Sequence, residues 1–553
     1  MADIVLATLN AKYIHTAVGL RYLLANLGPL RASACLLEFD LTRRPVDVVE
    51  SLLAHQPRLI GLGVYIWNAG LVTEVVVLLK RLRPDVTVVL GGPEVSHEPG
   101  SQPAARLADY VISGEADFAF AALCQAVLQG RPAETSLEPS LGRWVHLDAA
   151  AGQPLPECAA GPASGSRPTV LLATPPDLAR MALPYELYSA DDLAHRVVYV
   201  EASRGCPFRC QFCLSSLDVP VRQFPLPDVL QALGRLLDRG ARQFKFVDRS
   251  FNLDVPRACA ILEFLLERHR QGCSYHFEMV PDRLPGALRE VIRRFPPGVL
   301  QLEIGVQTFN PEVAARIERR QDLAQLEQNF RWLRAETGAH LHADLIAGLP
   351  GESLESLAAG FDRLVALGPQ EIQFGILKRL RGVGIGQHDA AWEMVYNPQP
   401  PYEILQNKLI DFATMQRLRR FARHWDLVAN SGHFLETTPL IWSGNRSPFQ
   451  AFWHWSDWLH RRAGRTDAIA LARLAAWLFE FLTTELGLPA RTVAETLARD
   501  YRRGGRRDLP EVIQAARAGT DRTATAVRQP GLPRQARHLA AECADLPKRA
   551  RQE

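Results

Sequence analysis

The chain has 553 residues and a formal net charge of +3, a length for two to four domains and a balance that argues against a surface built for nucleic acid or membrane. Apolar residues make up 47% and charged residues 22%, the proportions of a globular protein able to bury full cores. The opening MADIVLATLNAKYIH lacks the basic and apolar regions of a secretory signal, and LARLAAWLFEFL is too short to span a bilayer, so a cytoplasmic enzyme is expected.

Residues 1–135 alternate short apolar runs (DIVLATL, LIGLGVYI, VTVVLGG, DYVIS) with helix-periodic stretches (GLRYLLANL, GLVTEVVVLLKRL, DFAFAALCQAVLQG). That rhythm predicts a doubly wound, Rossmann-like parallel sheet. Residues 136–190 lose periodicity and gain Pro, Gly and Ser, which predicts a linker. A second alternating block spans 191–390, with strands VVYVEAS, QFKFVD, YHFEMV, LQLEIGV, LHADLIAG and EIQFGIL. Six βα units predict a (β/α)6 partial barrel whose chemistry gathers at the carboxyl ends of its strands. Residues 391–511 read as a mainly helical, aromatic-rich domain. Residues 512–553 are basic and poorly periodic, and read as a disordered tail.

The nine cysteines are not spaced as a disulfide framework. Cys35, Cys124, Cys259 and Cys273 read as small buried hydrophobes. Cys206, Cys210 and Cys213 stand apart, with the spacing C-x3-C-x2-C in RGCPFRCQFC, directly after the first strand of the second block. A structural zinc site wants a fourth ligand at short spacing, and the next cysteine is Cys259. In a [4Fe–4S] cluster, three thiolates leave one iron without a protein ligand. That open iron is a place for a small molecule with nitrogen and oxygen donors.

On this motif, with Phe212 before its last cysteine, the chain resembles the radical S-adenosylmethionine (SAM) superfamily. The resemblance implies that the open iron chelates the amino and carboxylate groups of SAM. One electron then cleaves the sulfonium to methionine and a 5′-deoxyadenosyl radical, which abstracts hydrogen from an unactivated carbon. It further implies a polar group for the SAM amine at the end of the second strand, here Asp248 or Arg249 in FVDRSFN. LEIGVQTFN resembles the fourth-strand segment of the subgroup with coproporphyrinogen dehydrogenase and methylthiotransferases. Gln307 and Arg319 there match positions that contact the SAM ribose and carboxylate, with Arg316 and Arg320 as neighbouring alternatives. DLIAGLPGE resembles the fifth-strand motif, which puts Gly348 and Pro350 near the adenine.

In the first block, GGPEVS and SGEADFAF follow strands, and no G-x-G-x-x-G turn marks a dinucleotide site. The set resembles the cobalamin-binding domain of class B radical SAM enzymes. Gly91, Gly92, Pro93, Ser113, Gly114 and Glu115 are the implied contacts to the cofactor's nucleotide tail. The Asp-x-His-x-x-Gly motif of enzymes that ligate cobalt from below is missing, and His15 is offset from it, so no protein histidine is expected under cobalt. Residues 391 to about 510 resemble the uncharacterised C-terminal extension on one branch of these proteins. Tyr402, Glu403 and His433 are candidate substrate-facing groups there. Trp442, Trp453, Trp455 and Trp458 either line a pocket or pack helices.

The expected cofactors are therefore a [4Fe–4S] cluster, SAM and cobalamin, and the expected reaction is methylation of an unactivated carbon. The alternatives are a radical rearrangement or cyclisation without methyl transfer, and a non-catalytic iron–sulfur and corrinoid binding protein. The expected partners are a small-molecule or peptide substrate and an electron donor such as flavodoxin or ferredoxin, with neither membrane nor nucleic acid.

Overall fold

A computed structural model describes residues 2–146, 169–218, 220–444, 446–506, 509–517 and 534–545. Its first sheet contains β1 (Ile4–Asn10), β2 (Ala34–Asp40), β3 (Leu59–Gly63), β4 (Thr87–Gly91), β5 (Tyr110–Ser113), β6 (Gly142–His146) and β7 (Thr169–Ala173), in the order β2-β1-β3-β4-β5-β7-β6. All neighbours are parallel except β6, which runs antiparallel to β7 at one edge. Every residue of β1 is buried, because helices cover both faces of a doubly wound sheet.

The stretch 136–190, expected to be a linker, thus supplies two strands to this sheet. The five-residue run TVLLA is short, and its Pro- and Gly-rich surroundings conceal it. It gains its hydrogen bonds only from β5 and β6, which are distant in sequence. The Pro-, Gly- and Ser-rich part of the expected linker, residues 147–168, lies outside the described residues.

The second sheet has six parallel strands in sequence order: β8 (Val198–Val200), β9 (Gln243–Phe246), β10 (Ser274–Met279), β11 (Leu300–Gln307), β12 (His340–Ala347) and β13 (Glu371–Ile376). It is the expected partial barrel. Along β11, burial alternates strictly between buried and half-buried. Leu300, Leu302, Ile304 and Val306 pack outward under the helices, and Glu303, Gly305 and Gln307 face the lumen side. One hydrophobic core runs from the barrel into the C-terminal helices, while the first sheet has a separate core on each face.

The C-terminal helices Phe412–Val428 and Pro448–Ala463 pack through rings. Phe361, Phe421, Trp425, Phe449 and Phe452 meet with centroids 4.7–5.8 Å apart, mostly edge to face. Trp455 is fully buried against Phe481 and stacks with Trp458, and Trp453 and Trp442 pack on Phe421 and Trp425. All four tryptophans are therefore packing residues. The tail expected to be disordered includes helices at Glu511–Arg517 and Arg534–Asp545. The second is anchored by Arg534, whose Nη2 lies 2.7 Å from Glu371 and 2.9 Å from Asp426, and by buried His538 against the Asn430 carbonyl. Those partners are too far away in sequence for local periodicity to reveal them.

Candidate functional site: two cavities joined by the cysteine loop

The cysteine loop is built by its glycine and its neighbours. Gly205 has φ +93°, and a Cβ there would lie 2.7 Å from the Asp218 carbonyl oxygen and 2.8 Å from that of Pro220, so only glycine allows the turn. The Cys206 amide donates to the Asp218 carbonyl at 3.0 Å, and Cys213 to Cys210 at 3.0 Å. Buried Gln211 fastens the middle of the loop: its amide donates to Ile317 O, its Nε2 to Glu318, and its carbonyl accepts from the Ile385 amide.

Cys206, Cys210 and Cys213 line one cavity of about 150 Å³ with Phe212, Arg249, Gln307 and Arg319. Burial pushes the Cys206 and Cys210 thiols up. Arg319 opposes this at Cys210, where its Nη1 lies 3.7 Å from Sγ. A second Arg319 nitrogen donates to the Gly305 carbonyl. Gln307 reaches the cavity because β11 ends in a bulge between Gly305 and Gln307, with Gln307 at φ +71°. Of the neighbouring arginines, Arg320 also lines the cavity, whereas Arg316 turns away to the Pro350 carbonyl, 2.9 Å, and stacks on Trp392.

Asp248, expected at the SAM amine, does not line this cavity. It accepts from the Ala202 amide at 3.0 Å and the Ser203 hydroxyl at 2.5 Å, and burial raises its carboxyl to about 6. It anchors the entry to the cysteine loop, because the chain after β9 turns its side chain back toward β8. Arg249 does line the cavity and donates to Glu278 at 2.9 Å. Gly348 and Pro350 are also outside the cavity. A Cβ at Gly348 would meet Ile404 at 2.6 Å, so this glycine admits the C-terminal domain.

Sequence reasoning missed the carboxylates Glu278 and Glu303, which line the cavity with Asp344. Glu278 pairs in register with Glu303, and Gly305 with Asp344. The period-2 alternation of YHFEMV and LQLEIGV is the signal that puts these acids on the lumen side. Glu303 is held low by His276, at 2.7 Å, and Lys245, against the opposing effect of burial. Asp344 is pushed well up by burial and by Glu303, and its Oδ1 is buried with no hydrogen-bond partner among the described residues.

A second cavity, of about 260 Å³, lies at the carboxyl ends of the first sheet. Gly19, Gly61, Gly63, Gly91, Gly92 and Gly114 line it, with Leu6, Ile112, Phe120 and Glu115. Gly92 has φ +108°, and a Cβ there would lie 2.5 Å from the Val64 carbonyl. Ser113 and Pro93 do not line the slot. The Ser113 hydroxyl donates to Ser96 O at 2.6 Å, and Pro93 opens the short helix Pro93–Ser96. His15 is bound at 2.7 Å to the Tyr199 hydroxyl, outside the slot.

The two cavities are joined through Arg204, two residues before Cys206. It lies 2.7 Å from Glu115, 2.9 Å from Asp117 and 2.7 Å from Glu201, and Arg222 also pairs with Glu115. A second seam joins Tyr402 and Arg381 to Glu94, with Arg381 also reaching Glu98 and Ser101. The expected substrate-facing Tyr402 is thus an interdomain contact. Glu403 lines a large cavity of about 1100 Å³ that shares Phe212, Cys213 and Gln307 with the first. His433 lines none of these three cavities.

Three family models match the chain: Radical SAM superfamily over residues 200–364, B12 binding domain over 4–124, and Protein of unknown function (DUF4080) over 390–540. An uncharacterised methyltransferase of Pyrococcus horikoshii is 23% identical over 364 residues, 62% of this chain and 72% of the relative. The cobalamin-dependent radical SAM methyltransferase TokK of Streptomyces tokunonensis is 24% identical over 335 residues, 57% of this chain. The 2-(S-pantetheinyl)-carbapenam-3-carboxylate methyltransferase of Streptantibioticus cattleyicolor is 25% identical over 358 residues, 60% of this chain. The chain spans about half the length of these last two, 46% and 49%. In fold, it is similar to the radical SAM methyltransferase TsrM of Kitasatospora setae, whose solved structure has cobalamin and a [4Fe–4S] cluster bound. The TM-score is 0.53 at 18% identity, covering 70% of this chain and 74% of that one.

The residues present fit these cofactors. The three thiols share one cavity wall, which suits a cluster of several irons. Asp344, whose Oδ1 lies 3.5 Å from His342 Nε2, and the cations Arg249, Arg319 and Arg320 line the same space as partners for a zwitterionic ligand. The glycine-lined slot admits a bulky group against bare backbone, as a cobalamin tail requires.

Proposed function

Because the chain belongs to the radical SAM superfamily and carries a B12-binding domain ahead of its barrel, we propose that it is a cobalamin-dependent methyltransferase acting on an unactivated carbon of a small molecule or peptide. The observation that carries this reading is Arg204, which ties the base of the cysteine loop to Glu115 in the wall of the glycine slot. A methyl group can pass between two cofactor sites only if both are held in one frame.

Cys206, Cys210 and Cys213 would hold the cluster, Arg319 and Gln307 the SAM, and Gly91, Gly92, Gly114 and Glu115 the tail of cobalamin. When bound, the cluster supplies the electron that cleaves SAM, and cobalamin supplies a methyl-carrying cobalt. Arg319 holds negative charge near Cys210 and presents a two-pronged donor to a carboxylate. Gln307 both donates and accepts. Phe208 and Phe212 keep water from the thiols. The electron comes from a small donor protein such as a flavodoxin or ferredoxin. No described helix is long and apolar enough to cross a membrane.

The test is anaerobic reconstitution with iron, sulfide and cobalamin, then incubation with methyl-labelled SAM and a reductant. Formation of both 5′-deoxyadenosine and S-adenosylhomocysteine supports methyl transfer. 5′-Deoxyadenosine alone supports rearrangement, and neither product supports a binding protein. Serine at any one of the three cysteines is expected to abolish 5′-deoxyadenosine formation and the cluster's visible absorbance together.

A further inference from the structure

The helix Phe412–Val428 has two unlike faces. Met415, Leu418, Phe421, Trp425 and Val428 recur at helical spacing and are buried. Gln416, Arg419, Arg420 and Arg423, also at helical spacing, line the cavity of about 1100 Å³. The same cavity reaches Phe212, Cys213 and Gln307 at the cluster site. Lys378, just beyond β13, adds another cation to its wall.

Most of this charge is matched. Arg419 lies 2.9 Å from Glu403, Arg423 lies 3.3 Å from Asp426, and Arg534 pairs with Glu371 and Asp426. Arg420 and Lys378 have no acidic partner among the described residues, and the Arg420 Nε is buried with no hydrogen-bond partner. A guanidinium N–H buried without an acceptor is costly in a finished site. Lys378 lines the same cavity, and its backbone bridges to Glu403, whose carboxylate pairs with Arg419. The cavity has room for a small molecule beside the cluster site.

Resting on the methyl-transfer reading above, we infer that the substrate is an anionic small molecule whose phosphate or carboxylate is held by Arg420 and Lys378, with its reacting carbon toward Cys213 and Gln307. A planar guanidinium beside a mobile ammonium recognises either oxyanion. SAM's own carboxylate has other cations available, Arg319 and Arg320, in the cluster cavity.

The test uses holoprotein reconstituted with cluster and cobalamin, saturated with SAM, and titrated calorimetrically with pyrophosphate and, separately, citrate. Saturable binding of either supports the inference, and the tighter of the two identifies phosphate or carboxylate. Arg420→Gln and Lys378→Met, on separate elements, are each expected to weaken that binding about tenfold, a loss of about 1.4 kcal/mol. Arg417→Gln, which removes a charge from the same helix where Arg417 pairs with Asp457 outside the cavity, is expected to leave it unchanged. No binding of either anion, equal weakening by Arg417→Gln, or binding abolished by SAM would overturn the inference. 5′-Deoxyadenosine formation is measured on the same preparation. Its absence counts against the methyl-transfer reading, whereas cleavage without anion binding counts against this inference alone.

Discussion

Arg319 is the side chain on which the cluster site turns. It touches the Cys210 thiol, the Gly305 carbonyl and, through Nε, Gln321 at 3.1 Å. Replacing it with glutamine removes the charged donor but leaves the three thiols in place. We expect Arg319→Gln to retain its cluster absorbance and to bind SAM at least about tenfold more weakly, the size of one lost charge-assisted hydrogen bond. Equilibrium binding of SAM to the reconstituted variant checks this. Glu352 gives a pH prediction. It is 2% exposed and accepts from the Thr308 hydroxyl at 2.7 Å, and burial raises its carboxyl from 4.5 to about 7. The folded protein therefore binds this proton more tightly than the unfolded chain. Its contribution is most favourable below about pH 4.5 and declines as pH rises to about 7, reaching a cost of about 3 kcal/mol above that. Glu352→Gln is expected to raise the thermal midpoint at pH 8 relative to the parent and to reduce that gain at pH 5.

At the scale of elements, the site depends on turns that admit only glycine. Gly205 sets the cysteine loop, and Gly92 lines the glycine slot of the first domain. Both have φ in the left-handed region and carbonyl oxygens within 2.8 Å of where a Cβ would stand. Alanine at either position is expected to cost about 1–3 kcal/mol from backbone conformation alone. The losses of function should differ. Gly205→Ala should lower the iron bound per chain, and Gly92→Ala should lower the cobalamin retained after gel filtration while the iron content holds.

For the whole molecule, the arrangement depends on how the first domain is held to the barrel. Arg204 is the central cation of that seam, with Glu115, Asp117 and Glu201 around it and its guanidinium 4.8 Å from the Tyr22 ring centre. Arg204→Met would leave Asp117 and Glu201 without their cation, with Glu115 keeping only Arg222, a loss of about 3–5 kcal/mol for an unpaired buried group. The expected result is a separate, earlier melting of the first domain in calorimetry. Methyl transfer should fall much further than SAM cleavage, because only the former needs both domains in register.

Much of the chemistry could be read along the chain. The C-x3-C-x2-C spacing, the two βα rhythms and the Gly-Gly-Pro turn are local patterns, fixed by what a short segment can ligate or bury by itself. They determined the alternating sheets and the barrel and, through the family resemblance they carry, the cofactors. Tertiary structure alone decided which charged groups face which cavity. Asp248 and Arg249 are adjacent in sequence, yet one anchors backbone and the other lines the cluster cavity. Arg316 ends a helix and Arg319 follows three residues on, and only the second reaches a thiol. Arg420 and Lys378 meet one space from elements 42 residues apart, and Arg534 returns from the tail to the same wall. Long charged side chains carry no periodic signal of their own, and their partners are chosen by how distant elements pack.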